Sequence, residues 1–79
     1  MVTIYTSPTC AYCHMLKQYL QGKGVKFTEK DITVDRSAME WVGNTIGQYA
    51  TPVTDIDGTV VLGFDRERID TALRDKKLI

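Results

Sequence analysis

Residues 2–20 read VTIYTSPTCAYCHMLKQYL, and this stretch decides the fold. It opens on β-branched and aromatic residues and then reaches Ser7-Pro8, which predicts a short strand followed by a loop. Over residues 11–21, apolar side chains recur at the spacing of one helix face. They are Tyr12, Met15, Leu16, Tyr19 and Leu20. Both cysteines of the chain, Cys10 and Cys13, therefore lie where a predicted strand gives way to a predicted helix.

The rest of the chain predicts three more strands and two more helices. The strands are Val25–Ile32, then Val53–Ile56 and Thr59–Leu62, which flank an Asp57-Gly58 turn. The first of the two helices is capped by Asp35 or Ser37, and its apolar face consists of Ala38, Met39, Val42, Ile46 and Tyr49. The second helix runs from about Asp65 to Lys77 and buries Ile69, Ala72 and Leu73. The order β-α-β-α-β-β-α predicts one α/β domain over residues 1–79. We expect a four-stranded mixed sheet with helices on both faces and a parallel first pair of strands.

Charge and composition exclude several function classes. The 79 residues carry ten basic and ten acidic side chains, so no net field attracts nucleic acid or an acidic membrane surface. The first residues lack a basic segment and a long apolar run, and no stretch approaches the roughly 20 apolar residues of a membrane span. Two cysteines are too few for a secreted disulfide scaffold. We therefore expect a cytoplasmic monomer that binds neither nucleic acid nor membrane.

The motif Cys10-Ala11-Tyr12-Cys13-His14 has four chemical interpretations. A structural disulfide closing so short a loop removes only about 2 kcal/mol of chain entropy. A structural zinc site wants four ligands, and His14, next to Cys13 on a helix, is badly placed to join both sulfurs. Haem attachment matches the Cys-x-x-Cys-His spacing, but the motif lies between a strand and an amphipathic helix. A metal-binding or haem-binding module therefore stays as the alternative of another class.

Redox exchange is the chemistry that a Cys-x-x-Cys near a β-α-β unit favours. Cys10 is predicted at the helix N-terminus, where unpaired backbone N–H groups and the positive end of the helix dipole favour a thiolate. Cys13 follows one turn later and is expected to remain a thiol. We therefore predict that Cys10 is the nucleophile and that Cys13 resolves the mixed disulfide formed at Cys10. No bound cofactor or metal is expected.

On these motifs the chain resembles the glutaredoxin family within the thioredoxin fold. The matching segments are Ile4-Tyr5-Thr6, Cys10 to His14, Thr51-Pro52-Val53, Ile56-Asp57-Gly58 and Gly63-Phe64-Asp65-Arg66. The resemblance implies a thiol–disulfide oxidoreductase that acts on a disulfide-containing protein, with glutathione as a co-substrate. It also implies a cis Pro52, pairing of the Thr51 backbone with the incoming substrate, and substrate contacts at Tyr12, Gly63, Phe64 and Asp65. Tyr12 could instead open the apolar helix face.

Three features depart from the glutaredoxin pattern, and one of them is the turn Leu62-Gly63-Phe64-Asp65-Arg66, which keeps one glycine and one acid of the family's usual Gly-Gly-x-Asp-Asp. Ala11 stands where proline usually separates the cysteines, and Ser7 stands where a basic residue commonly helps to hold a glutathione carboxylate. The Gly63-Phe64 pair also resembles the NrdH-type redoxins, which donate electrons to ribonucleotide reductase and are reduced by thioredoxin reductase. Either glutathione or thioredoxin reductase is therefore expected as the reductant. Monothiol exchange through Cys10 alone is a further alternative.

Three more residues are expected as modulators of the cysteine pair. His14 could transfer a proton, and the charge of Lys17 could stabilise the thiolate; the alternative for both is a solvated side chain. Asp55 interrupts a predicted buried strand, so it lies either near the sheet edge or inside as an acid with a raised pKa. A buried Asp55 could exchange a proton with Cys13.

Overall fold

The computed structural model describes residues 1–78 and contains a four-stranded mixed sheet with three helices. The elements are β1 (Val2–Thr6), α1 (Ala11–Gly22), β2 (Thr28–Asp31), α2 (Arg36–Ile46), β3 (Val53–Ile56), β4 (Thr59–Leu62) and α3 (Arg66–Asp75). The strand order is β2-β1-β3-β4, with β1 and β2 parallel and the other two pairs antiparallel. The predicted element order and the mixed sheet are confirmed.

The sheet separates two apolar layers. On one face, α1 and α3 pack against the sheet through fully buried side chains, which are Leu16, Leu20, Ile69 and Leu73 over Ile4 and Ile56. On the other face, α2 packs Ala38 and Val42 against Tyr5 and Val53. Trp41 extends this smaller layer by stacking on Tyr5, with ring centroids 4.4 Å apart. Helices therefore cover both faces, as the sequence predicts.

All three helices begin at the same end of the sheet. Strands β1, β2 and β4 run in one direction, and each is followed by a helix. The caps of α1, α2 and α3 are Cys10, Asp35 and Asp65, and each side chain accepts a backbone N–H three residues on. The positive ends of three helix dipoles consequently meet at the end of the sheet that carries the cysteine pair.

Strand β2 is shorter than the predicted strand Val25–Ile32. The parallel register places Thr28 opposite Thr3, and β1 starts one residue earlier, at Val2. Almost no β1 backbone therefore remains to pair with the segment before Thr28. Val25 is buried and Phe27 packs against the larger layer, so these apolar residues belong to the core without belonging to the strand.

The first turn and the far end of α2 also differ from the sequence pattern. The cap is Asp35, whose carboxylate accepts the Ala38 N–H at 3.1 Å, so Ser37 is not the cap but lies inside the helix. Tyr49 lies beyond the helix and is 68% exposed. Its ring lies against Gly43, where a Cβ would stand only 2.6 Å from Tyr49 Cε1. The glycine in mid-helix therefore makes room for the Tyr49 ring.

One polar atom in the larger layer lacks a partner. Thr54 lies on β3, is fully buried, and within residues 1–78 its Oγ1 has no hydrogen-bond partner. A buried hydroxyl without a partner costs about 1–3 kcal/mol of desolvation.

We predict that Thr54→Val raises the free energy of unfolding by about 1 kcal/mol, because valine keeps the shape and removes the unpaired hydroxyl. Urea denaturation of the two proteins measures the difference. Thr59→Val, at an exposed position of β4, is the matched control and is expected to change little. A loss of stability in Thr54→Val would show that the hydroxyl is hydrogen-bonded in solution.

Candidate active site

The cysteine pair sits at the junction of β1 and α1. Cys10 has extended backbone dihedrals, with φ −91° and ψ 108°, and caps the helix with its sulfur. Cys10 Sγ accepts the Cys13 backbone N–H at 3.1 Å, and the Cys10 N–H donates to the Ser7 carbonyl at 3.3 Å. The sulfur thus occupies the place that a serine or aspartate oxygen usually takes at a helix N-terminus.

The surroundings of Cys10 favour its thiolate. Burial of the sulfur opposes ionisation, but hydrogen bonds from the Cys13 thiol, the Thr51 hydroxyl and the backbone outweigh it. Together they hold the pKa of Cys10 below the ordinary value for a thiol. Because Cys10 is also partly exposed, the activated sulfur can be reached from solvent.

Cys13 has the opposite character. It is only 1% exposed, and burial raises its pKa to about 11; its hydrogen bond with Cys10 adds to this rise. The neighbouring negative charge of Cys10 disfavours a second thiolate as well. The outer sulfur is therefore the first of the pair to ionise, and the inner sulfur keeps its proton to higher pH.

Thr51 and Pro52 lie beside the cysteines. The Thr51-Pro52 peptide bond is cis and Pro52 is buried, as the resemblance implies. The Thr51 hydroxyl acts as a hydrogen-bonding side chain that lowers the pKa of each thiol. Among residues 1–78, no backbone–backbone hydrogen bond uses Thr51, which leaves its amide and carbonyl available to an incoming strand.

The segment Gly63-Phe64-Asp65 reaches the site through its backbone. The Gly63 N–H donates to the Pro52 carbonyl at 2.8 Å, which fixes the segment next to Thr51. Phe64 turns to the core and meets the Tyr19 ring edge-on, with centroids 5.8 Å apart. Asp65 caps α3 and pairs with Arg68. Substrate contacts by these three residues stay predictions.

Tyr12 and His14 both point away from the core. Tyr12 is 60% exposed, so it does not open the buried face of α1, and Met15 is exposed as well. Tyr12 therefore does not have the structural role on the apolar helix face. Its placement over bound substrate stays a prediction. His14 is exposed on the first turn of α1.

Lys17 is neither a free solvated side chain nor a partner of the thiolate. Its Nζ forms an ion pair with Glu29 Oε2 at 3.1 Å, and the same oxygen accepts the Thr6 hydroxyl at 2.9 Å. Thr6 ends β1 and Glu29 lies on the neighbouring strand β2. This network therefore fixes the point where β1 leads into the loop before Cys10. Sequence reasoning missed Glu29 because it was expected only as one residue of an alternating strand; the parallel register of β1 and β2 brings it to Lys17.

The hypothesis that Asp55 is a buried acid is wrong. Asp55 is only partly buried, and its carboxylate accepts the Gly58 N–H at 2.9 Å across the hairpin turn. It shares its sheet face with Val53 and therefore with α2, whereas Cys13 lies on α1 on the opposite face. Proton exchange between Asp55 and Cys13 has no direct path in this arrangement.

Three further observations bear on the other interpretations of the chain. A shallow groove of roughly 530 Å³ lies between β4 and α3, but neither cysteine lines it. Across residues 1–78, no group of three or more His, Cys, Asp or Glu side chains is arranged to hold a metal ion. No helix in the same described range has the length and apolarity to cross a membrane.

A Cys-x-x-Cys at a helix N-terminus, with an outer thiol of lowered pKa, a buried inner thiol and a cis proline alongside, is the arrangement of a thiol–disulfide redox site in a thioredoxin fold. The family model described as Glutaredoxin matches residues 2–61. The chain belongs to the glutaredoxin family, which supports thiol–disulfide oxidoreductase activity in general.

Relatives in sequence and structure agree with this assignment. The chain is 34% identical over 70 residues to an uncharacterised glutaredoxin-like 8.6 kDa protein in the rubredoxin operon of Clostridium pasteurianum, covering 89% of this chain and 93% of the relative. It is 38% identical over 64 residues to glutaredoxin 3 of Escherichia coli K12, covering 81% and 77%. The structure of the glutaredoxin-like NrdH-redoxin from Escherichia coli superposes with a TM-score of 0.79 at 26% identity, covering 89% and 91%.

We predict that iodoacetamide alkylates Cys10 with a midpoint below the ordinary thiol pKa of about 8.5, whereas Cys13 stays unreactive at neutral pH. The sign follows from the lowered pKa of Cys10: the thiolate fraction is lost only as the pH falls through that value. Mass spectrometry of the labelled peptides assigns each rate to its cysteine. A Cys10 midpoint at or above the ordinary value would contradict the proposed activation.

Proposed function

We propose that this chain reduces protein disulfides or glutathione mixed disulfides by dithiol exchange through Cys10 and Cys13. The contrast between the two sulfurs carries the proposal. Cys10 is partly exposed and has a lowered pKa, while Cys13 is buried and protonated with a pKa of about 11. The exposed sulfur of lowered pKa suits attack on a substrate disulfide, and the buried sulfur suits the later attack on the mixed disulfide at Cys10.

The first step is attack by the Cys10 thiolate on one sulfur of the substrate disulfide. A Cys10–substrate disulfide forms, the substrate S–S bond breaks, and the leaving sulfur departs as a thiolate that takes up a proton from solvent. Cys10 then no longer carries a negative charge. One of the causes that raise the pKa of Cys13 disappears with that charge, although its burial remains.

Resolution follows from this change at Cys10. Cys13 loses its proton to solvent and attacks Cys10 Sγ. The Cys10–substrate disulfide breaks, and the second substrate sulfur leaves as a thiolate that takes up a proton from solvent. The substrate has gained two electrons, and the chain holds a Cys10–Cys13 disulfide. The 3.1 Å hydrogen bond between the Cys13 N–H and Cys10 Sγ supports this step, because it keeps the two residues in register within one helical turn.

The unpaired backbone of Thr51 supports binding of the substrate as an extended segment. A short strand that pairs with Thr51 would lie beside Cys10 and present its disulfide to the thiolate. Exposed Tyr12 stands on the helix turn between the cysteines and is proposed to cover the bound segment.

The second candidate is an NrdH-like role with thioredoxin reductase as the reductant. The similarity to the NrdH-redoxin supports it, since that protein is described as having a thioredoxin-like activity profile. Ser7 supports this candidate too. Its hydroxyl lies beside the site, 3.2 Å from Thr51 Oγ1, and a serine there offers no positive charge that could bind a glutathione carboxylate.

We predict that Cys10→Ser lowers disulfide reduction by more than about a thousandfold, because a neutral hydroxyl replaces a thiolate. Cys13→Ser is expected to attack normally and then accumulate the mixed disulfide, which mass spectrometry detects as an adduct. Met15→Ser, at an exposed position of α1, serves as the control. Full activity in Cys10→Ser would refute the dithiol mechanism, and sustained turnover in Cys13→Ser with glutathione would indicate monothiol exchange instead.

The reductant is identified by returning the oxidised chain to its dithiol form in two assays. One contains reduced glutathione, glutathione reductase and NADPH; the other contains thioredoxin reductase and NADPH. We expect NADPH consumption at least about tenfold faster in one assay than in the other. Reduction by neither system would contradict both candidates.

A further inference from the structure

Ser7 contacts each part of the cysteine site with a different polar group. Its carbonyl accepts the Cys10 N–H at 3.3 Å, and its hydroxyl lies 3.2 Å from the hydroxyl of Thr51, which is 44 positions away in the chain. Its backbone N–H also acts on the Cys13 thiol. Ser7 thus joins the loop before α1 to the segment before β3.

The direction of the Ser7–Thr51 hydrogen bond decides what Thr51 can do. A hydroxyl has one proton to donate and two lone pairs to accept with. If Thr51 donates to Ser7, its proton is not available to the thiolate. If Ser7 donates to Thr51, the Thr51 proton is free to point at Cys10, and a negatively charged sulfur favours this second arrangement.

We propose that Ser7 is a positioning residue that donates its hydroxyl proton to Thr51 and so holds the Thr51 hydroxyl as a hydrogen-bond donor to Cys10 Sγ. The inference rests on the proposed role of Cys10 as the nucleophile. The effect of Thr51 on the pKa of Cys10 is in the direction that this arrangement requires. Ser7 acts through Thr51 and does not itself touch the thiolate.

The charged and titratable groups around Cys10 leave this role to the hydroxyls. From α1, the Cys13 thiol and the backbone N–H groups of Tyr12 and Cys13 act on the sulfur. His14 is exposed on the outer side of α1, and the charge of Lys17 is paired with Glu29. From the start of α3, Asp65 is paired with Arg68. Replacement of Ser7 by alanine changes no charge among them.

The test is the pH dependence of Cys10 alkylation by iodoacetamide in four chains: the parent, Ser7→Ala, Thr51→Val and the double variant. We expect Ser7→Ala to slow alkylation roughly threefold at pH values below the Cys10 pKa, and to leave the rate unchanged well above it. Thr51→Val, which removes the direct donor, is expected to slow it about tenfold in the same range. Ser37→Ala, at an exposed position of α2, is the control.

The double variant separates positioning from general loosening of the loop. If Ser7 works through Thr51, adding Ser7→Ala to Thr51→Val changes the profile no further. A Ser7→Ala profile that coincides with the parent would overturn the inference, and so would a threefold effect that persists in the Thr51→Val background. A parent profile with an ordinary thiol midpoint would instead refute the proposed activation of Cys10, so the two failures are distinguishable.

Discussion

The hydrogen bond from the Cys13 N–H to Cys10 Sγ is the interaction on which the site depends. Through this bond the sulfur caps α1, and the strength of the cap depends on how well the sulfur accepts a hydrogen bond. A thiolate is a better acceptor than a thiol, so ionisation of Cys10 strengthens the cap. The same bond places the second cysteine one turn inside the helix, beneath the first. The hydrogen bond that caps helix α1 therefore also sets the relative positions of the nucleophilic and the resolving thiol.

The direction of the strands in the sheet brings the other parts of the site next to the cysteine pair. Because β1, β2 and β4 run in the same direction, their helices all start at one end, and the loops around Cys10, Thr51 and Gly63 meet there. Two caps are carboxylates bound to their own helices, and the third is the reactive sulfur. All three caps accept a backbone N–H of their own helix, and only the sulfur can also act as a nucleophile towards a disulfide.

Local patterns predicted most of the fold and the centre of the site. The helix α1, the Asp57-Gly58 turn and the position of the cysteine pair at the start of α1 each depend on residues close in sequence, and the structure contains all three. Two residues of the predicted apolar face of α1, Tyr12 and Met15, are nevertheless exposed. The start of β2 and the ion pair of Lys17 were not predictable in this way, and the sequence left open whether Asp55 is buried. They depend on strand register and on which sheet face a side chain occupies, and both are properties of the assembled sheet.

The contact between Gly43 and Tyr49 joins α2 to the segment that leads to Thr51. Glycine in the middle of a helix costs about 1 kcal/mol relative to alanine, so α2 is less stable than its length allows. A methyl group at position 43 would displace the Tyr49 ring, and the chain from Tyr49 leads within two residues to Thr51. The helix therefore gives up part of its own stability to seat this ring, and Gly43→Ala would trade the gain in helix propensity against movement of an exposed side chain.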